Sequence, residues 1–405
     1  MYEPFCLLTC SMMGWKSCQV EMEKMMSIST SKRRRNWLVE PARITLARQH
    51  RGLSKTALAR ELGVTTRTIT RYETDGAPCE AAPRMSQVLR FPEGYFFLSA
   101  PAAIEREDVA FRSAARTSAA VKEAAVASAS HGVDLHRWLS EHIKAPRQSV
   151  PFLGNMTPEE AATQLRHEWG LGINPLPNLV QLAESHGIRV FGIPTLAQSV
   201  DAFSMYYEDQ PYIFLTRRRT PEGVRFDIAH ELGHLVLHSC GSDFAAGKEE
   251  EREADRFAAE FLMPTASVNN YMPQNPTKEQ LIELKRFYGV STMAMAVKAK
   301  ATGKLTKWSY RTMKQSLADD GFDKGEPGGL SDYERSRVFT FLFSPERTQR
   351  WTPATVAEEL CLPVEDLQRL TLNTVLGVVT DTGERLSHAS DFAEHPKPQL
   401  RVVKG

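Results

Sequence analysis

One stretch constrains the chain more than any other: Phe226-Asp227-Ile228-Ala229-His230-Glu231-Leu232-Gly233-His234-Leu235-Val236-Leu237-His238, an HExxH pattern inside a strongly apolar run. Apolar on nearly every side, the run predicts a helix buried inside a fold. Side chains four apart share a helix face, so His230 and His234 present both imidazoles to one metal ion, while Glu231 sits at the edge of the open coordination position. A catalytic Zn2+ takes three protein ligands and leaves the fourth place to water. The metal lowers the pKa of that water toward about 7, and Glu231 as general base would generate the hydroxide that attacks a peptide carbonyl. Taken alone, the five residues also fit a helix that merely carries two histidines, so the third ligand decides.

Glu250-Glu251-Arg252-Glu253-Ala254-Asp255-Arg256-Phe257-Ala258-Ala259-Glu260-Phe261-Leu262-Met263-Pro264 begins a second helix shortly after the first ends. On it Glu251, Ala254, Asp255, Ala258 and Leu262 share one face, which would turn Glu251 toward the first helix with small and apolar residues and makes it the expected third ligand. Asp255, one turn on, is suited to hydrogen-bond the free ring nitrogen of a zinc-bound histidine and fix its tautomer. Glu253, on a different face with Phe257, is the alternative ligand. The plain reading of Glu250 to Glu253 is a solvated first turn whose carboxylates favour the helix dipole, and His238 reads best as a favourable charge at a helix C-terminus. Cys240 is left out because three N/O ligands suffice.

A second constellation lies near the start. Residues 31–72 hold eleven Lys/Arg against two Asp/Glu, although the whole 405-residue chain carries a net charge of only +1, so a polyanion partner is indicated for that segment alone. Within it, Ser54 caps a helix whose Ala57, Leu58 and Leu62 face inward, Gly63 permits the sharp turn, and Val64 and Ile69 pack the next helix back. That second helix is the candidate reader of double-stranded DNA: Thr65, Thr66, Arg67, Thr68, Thr70 and Arg71 offer hydroxyls and guanidinium groups to base edges and phosphates. The competing reading is a compact bundle used for protein contacts. Lys32-Arg33-Arg34-Arg35 reads as a solvated tail.

The remaining signals set the frame. With 42% hydrophobic and 24% charged residues, the chain suits several globular domains. Six cysteines (Cys6, Cys10, Cys18, Cys79, Cys240, Cys361) lack paired spacing, which argues against a disulfide framework. No run approaches the ~20 apolar residues of a membrane span and no signal peptide is apparent, so a cytoplasmic protein is expected. The expected fold is multidomain and mainly α. A disordered extension covers 1–40, with Met22, Met25 and Met26 as alternative starts, and an all-α helix-turn-helix covers 41–78. A helical connector covers 79–150, its helix from Ser113 to His142. An α+β metallopeptidase domain covers 151–302 and a helical C-terminal region covers 303–405. In the fourth part, helices are expected from Thr157 to Trp169, over Pro177 to Ser185, and near 222–238, 249–263, 278–288 and 291–302; short strands at Ile188–Phe191, Ala202–Tyr207 and Tyr212–Leu215 have no readable order. Near the C-terminus, Thr352 to Leu370 reads as two short helices, too acidic for DNA and better suited to an interaction module.

Arg225 to His234, Glu251 with Ala254, and Phe257-Ala258-Ala259-Glu260-Phe261-Leu262-Met263-Pro264 resemble the ImmA/IrrE family of metallopeptidases across about 157–302. The resemblance implies a gluzincin-like zincin fold and site, and cleavage of a repressor protein in stress responses or mobile-element control. Ile44 to Glu73 resembles the Xre/Cro-type helix-turn-helix, with Lys55, where family members usually carry Gln, suited to a phosphate contact. The combined expectation is a DNA-binding regulator with zinc-dependent endopeptidase activity on a protein substrate, and a homodimer would suit two half-sites. The alternatives are a non-catalytic regulator, whose zincin domain senses a ligand or holds a dimer, and an antitoxin.

Overall fold

The computed structural model describes residues 38–104, 109–111, 118–193, 202–217, 219–238, 247–322, 325–344 and 350–374. The N-terminal extension with Lys32 to Arg35, the expected helix start at Ser113, and Cys240 lie outside them. A short strand, β1 (Leu38–Val39), leads into α1 (Pro41–His50), α2 (Lys55–Leu62) and α3 (Thr66–Asp75); β2 (Ala77–Pro78) returns antiparallel to β1 and α4 (Ala82–Leu89) follows. Local chemistry sets the breaks. Ser54 accepts the Ala57 N–H to start α2, Gly63 at φ 70° ends it in the left-handed region, and Thr65 accepts the Thr68 N–H to start α3. Ile44, Ala47, Leu58 and Ile69 are buried together with Met85 and Leu89 of α4, so the helical core extends past residue 78.

Beyond it come β3 (Ala110–Phe111), α5 (Ala119–His142), α6 (Pro158–Glu168), α7 (Leu179–Ser185), β4 (Arg189–Gly192), β5 (Ala202–Tyr207) and β6 (Gln210–Leu215). These strands form one sheet in the order β3-β5-β6-β4, antiparallel except for the β6–β4 pair. The β5–β6 hairpin turns through Glu208 and Asp209, both at positive φ, as a two-residue turn requires. Helices α8 (Pro221–Leu237), α9 (Lys248–Leu262), α10 (Thr265–Tyr271), α11 (Lys278–Tyr288), α12 (Thr292–Ala301) and α13 (Lys307–Asp319) follow. The chain then passes through α14 (Arg337–Leu342), α15 (Pro353–Glu359) and α16 (Val364–Leu370).

The sheet is buried on both faces, and the strand alternation sorts its side chains between two cores. Val190, Ala202, Ile213 and Leu215 join the core of α6 to α9, while Phe191, Phe203, Met205, Tyr212 and Phe214 turn to the opposite side. That opposite side is covered by α5, inside the stretch expected to be a connector. Gly132 on α5 allows the approach: a Cβ there would stand 2.6 Å from the Phe214 ring. α5 also meets the helix-turn-helix, since Arg43 of α1 donates to Asp134 at 2.6 Å and His131 lies 2.9 Å from the Tyr95 hydroxyl. One helix therefore forms a layer of the sheet domain and a support for the N-terminal bundle.

The C-terminal region ties both parts down. Glu334 pairs with Arg225 of α8, Glu184 of α7 accepts the Ser336 hydroxyl and the Arg337 N–H, and Glu326 accepts from Lys285 at 3.0 Å. Asp366 of α16 lies 2.8 Å from the Arg51 guanidinium and 3.3 Å from His50 Nε2, beneath the helix-turn-helix.

Candidate metal centre and DNA face

α8 is buried along almost its whole length, as its all-round apolar sequence requires. β5 crosses beneath it: the Tyr206 hydroxyl donates to the Leu235 carbonyl at 3.2 Å and Ser204 Oγ donates to Glu231 Oε2 at 2.7 Å. α9 packs on the other side, closely because two small residues meet. A Cβ on Gly233 would fall 3.0 Å from the Phe257 ring and 3.2 Å from Ala254 Cα, so a larger residue at 233 would push α9 away from α8.

That approach delivers Glu251. Its Oε2 lies 3.6 Å from His230 Nε2 and its Oε1 3.5 Å from His234 Nε2, while the two Nε2 atoms stand 3.1 Å apart. Ligands of a tetrahedral zinc at about 2.0–2.1 Å stand about 3.3 Å from one another, and the separations here, with each carboxylate oxygen facing one histidine, are of that size. His230 and His234 are fully buried and Glu251 partly so. Two imidazoles and a carboxylate are moreover the donor set that zinc takes in hydrolases, and His230, His234 and Glu251 could hold a metal ion together. Burial raises the Glu251 carboxyl, but the bonds and charges of the two histidines outweigh it and hold the group at about 2.

The outer nitrogens of both rings are engaged. His230 Nδ1 lies 2.9 Å from Asp255 Oδ1, the contact that the helix face predicts. His234 Nδ1 lies 3.0 Å from His238 Nδ1, whose own Nε2 lies 3.1 Å from Glu253 Oε2. His238 therefore acts as a link between the centre and Glu253, and Glu253, the alternative ligand, is turned away from the triangle. Burial and the neighbouring His234 lower the His238 pKa, against the pull of Glu253. Sequence reasoning missed Ser204 and the Gly233–Ala254 contact. The second had a visible signal, a glycine in HExxH facing a small residue on the next helix; the first had none, because the strand order was not readable.

Residues 183–300 match the IrrE N-terminal-like domain of the peptidase M78 family, a span that holds β4 to β6, α8, α9 and all three triangle residues. Residues 183–300 form an IrrE N-terminal-like domain. Residues 44–89 match a helix-turn-helix family, ahead of the IrrE-like domain in the chain and running beyond the expected boundary at 78 to take in α4. No curated protein matches the chain. The IrrE-like match supports a metallopeptidase-type enzyme, and the helix-turn-helix match suggests a DNA-binding regulator.

On the DNA side, Thr66, Arg67, Thr70 and Arg71 are exposed on α3. Thr65 is the N-cap, and its hydroxyl lies 2.9 Å from the half-buried Thr68 hydroxyl; Thr70 Oγ1 donates to the Thr66 carbonyl at 3.1 Å. Lys55, at the start of α2, also has a partner within the chain. Its Nζ lies 3.1 Å from the carboxylate of Glu73, which also accepts from Arg48 at 2.5 Å, while the Lys55 side chain stays about half exposed.

Proposed function

We propose that the chain is a zinc-dependent endopeptidase joined to a DNA-binding domain, a cytoplasmic proteolytic regulator that cleaves a repressor or other regulatory protein in a stress response or in mobile-element control. The observation that carries this reading is the His230, His234 and Glu251 triangle with Glu231 held beside it by Ser204. In this gluzincin-like set the three triangle residues hold the ion, and Asp255 and His238 orient the imidazoles from behind. When bound, zinc supplies an acidified water and polarises the scissile carbonyl. Glu231 takes the proton and passes it to the departing amine, and its buried position keeps bulk water from competing. Thr65, Thr66, Arg67, Thr68, Thr70 and Arg71 form the face turned to operator DNA, with Lys55 near its edge, and a homodimer would read two half-sites. Among the described residues no helix is long and apolar enough to cross a membrane, which is compatible with a soluble regulator.

The test is Glu231→Gln in cells and in purified protein. Both forms should carry about one zinc per chain, while cleavage of partner proteins, followed by mass spectrometry of host proteins, drops by at least about 100-fold in the variant. Purified protein without zinc, or a Glu231→Gln form that cleaves as well as the original, would overturn the reading.

A further inference from the structure

A second cationic stretch lies late in the chain: residues 284–318 contain eight Lys/Arg and no Asp/Glu. The fold sorts these cations. Lys285 and Lys298 are buried and paired, the first with Glu222 and Glu326 and the second with Glu260, and Arg286 packs against Gly328. The other five lie on the hairpin of α12 and α13. Lys300 holds its ammonium 4.9 Å from the centre of the Tyr310 ring, and Lys304 donates to the Asn269 carbonyl at 3.5 Å. Lys307, Arg311 and Lys314 are exposed on α13 at positions i, i+4 and i+7, so they form one stripe along the helix.

Tyr310, Met313 and Leu317 anchor the inner face of α13 in the core. Beside the cationic stripe stands Trp308, 75% exposed. Exposed cations on α9 have acidic neighbours, Glu249 for Arg252 and Glu159 for Arg256. On α13 the acids sit at the far end and are engaged, Asp319 by Gln315 and Asp320 by Lys278, and among the described residues no ion pair reaches Lys307, Arg311 or Lys314. Like charges three and four apart on a helix repel, and an indole in water forgoes the gain of burial. An anionic ligand with an aromatic face relieves both.

We propose that the outer face of α13 binds single-stranded nucleic acid, with Lys307, Arg311 and Lys314 along the phosphates and Trp308 stacked on a base. Stacking is what separates this ligand from other polyanions. Bases in a duplex are already stacked on each other, whereas a single strand leaves them free for an aromatic side chain. An anionic membrane asks for several apolar side chains, and the neighbours of Trp308 on that side are Thr312 and Gln315. An acidic protein would satisfy the cations but has no particular need of the indole. Nothing in this contact involves the metal centre or α3, so the chain would carry a nucleic-acid surface separate from the helix-turn-helix.

The test uses the full chain and a fluorescein-labelled oligothymidine of about twelve nucleotides, followed by fluorescence anisotropy across a range of salt. Trp308→Ala should weaken binding on the order of tenfold at unchanged salt slope, and Trp308→Phe should keep most of the affinity. Lys307→Gln, Arg311→Gln and Lys314→Gln together should lower the slope of log affinity against log salt by about 2, as three phosphate contacts on a single strand require. Arg67→Ala with Arg71→Ala should leave oligothymidine binding unchanged, and Trp308→Ala should leave binding to a mixed-sequence duplex of the same length unchanged. No measurable binding to oligothymidine, a Trp308→Ala form that binds it as well as the original, or a loss confined to the α3 variant would each overturn the proposal. So would polyglutamate that competes as well as oligothymidine at equal charge, or vesicles rich in phosphatidylserine that bind the original chain and not Trp308→Ala. Thermal melting checks folding, and should the triple variant unfold, each glutamine alone should lower the slope by about 0.7. Zinc content, measured alongside, bears on the endopeptidase reading alone.

Discussion

The metal centre and the DNA face solve opposite problems with the same kinds of residue. At the centre, polar side chains from β5, α8 and α9 converge, and the named ones engage each other: Ser204 on Glu231, Asp255 on His230, His238 on His234. On α3 Thr66, Arg67, Thr70 and Arg71 are exposed to solvent, and bonds such as Thr65 with Thr68 and Thr70 with its own helix are local. The first set of contacts lies within one chain, so its members can be related to one another by distance. The second, on the proposed reading, is half of an interface, and its meaning depends on a molecule that brings the complementary half. Yet the underside of the same helical bundle resembles the centre, with Glu73 accepting from Arg48 and Asp366 lying against Arg51 and His50.

That underside offers the largest expected effect. Asp366 and His50 are buried and Arg51 is mostly so, and removing one partner of a buried charge pair leaves the others desolvated and uncompensated. Asp366→Ala should therefore destabilise the chain by about 3–5 kcal/mol, measured by urea unfolding followed through the near-ultraviolet signal. A loss below about 1 kcal/mol would mean that the underside tolerates disorder as an exposed surface does, which breaks its likeness to the centre. The effect has a pH signature. Burial raises the Asp366 carboxyl, but His50 and Arg51 overcome that and hold it well below its ordinary 3.8. The unfolded state then takes up the proton first, so the contribution is complete above the ordinary carboxylate range and is lost as pH falls below it. The stability gap between the original chain and Asp366→Asn should narrow as pH is lowered from 6 toward about 3.

How much of this was open to sequence reasoning follows the same division between local and converging geometry. α8 and α9 were legible because HExxH and the Glu251, Ala254, Asp255, Ala258 face are written at helical spacing, and α2 and α3 because Ser54, Gly63 and Thr65 are local signals. α10 was missed, a seven-residue helix opening directly after Pro264 with no side-chain cap. The role of α5 was not readable, since Ala124, Ala125, Ala127 and Ala129 suit a connector as well as a helix packed between two cores. Ser204 and the tail contacts of Glu326, Glu334 and Ser336 were invisible for a different reason. Each pairs with a residue far along the chain, and only the three-dimensional path brings them together.

A smaller effect sharpens the reading of the centre itself. Asp255 touches the outer nitrogen of His230, Nδ1, and not the Nε2 that faces the triangle's centre, and its side chain is half exposed. If it orients the imidazole from behind, Asp255→Ala should leave the fold intact and weaken zinc binding about 10- to 100-fold, measured by competition with a chelating dye. The midpoint of zinc binding should also move to a different pH, because the ring loses the partner that sets its tautomer. Unchanged affinity would reduce Asp255 to a surface carboxylate and leave His238 as the group that orients the imidazoles from behind.

The smallest effect tests the diverging side. Arg67 and Arg71 are exposed on α3 one helical turn apart, so both can reach one groove wall if α3 lies in the major groove. Each arginine that meets a phosphate releases bound counterions, and Arg67→Ala or Arg71→Ala should lower the slope of log affinity against log salt by about 1 while weakening binding to all sequences alike. An arginine that reads a guanine instead costs about 1–3 kcal/mol at that base pair and little elsewhere, so the two roles separate when the same variant is measured against operator and random DNA. Lys55 is the internal control. Its ammonium is already engaged by Glu73, so Lys55→Gln should change the salt slope less than either arginine variant does. A full unit lost at Lys55 and none at Arg67 or Arg71 would put the DNA on the N-terminal end of α2 instead, with Glu73 releasing Lys55 when the phosphate arrives.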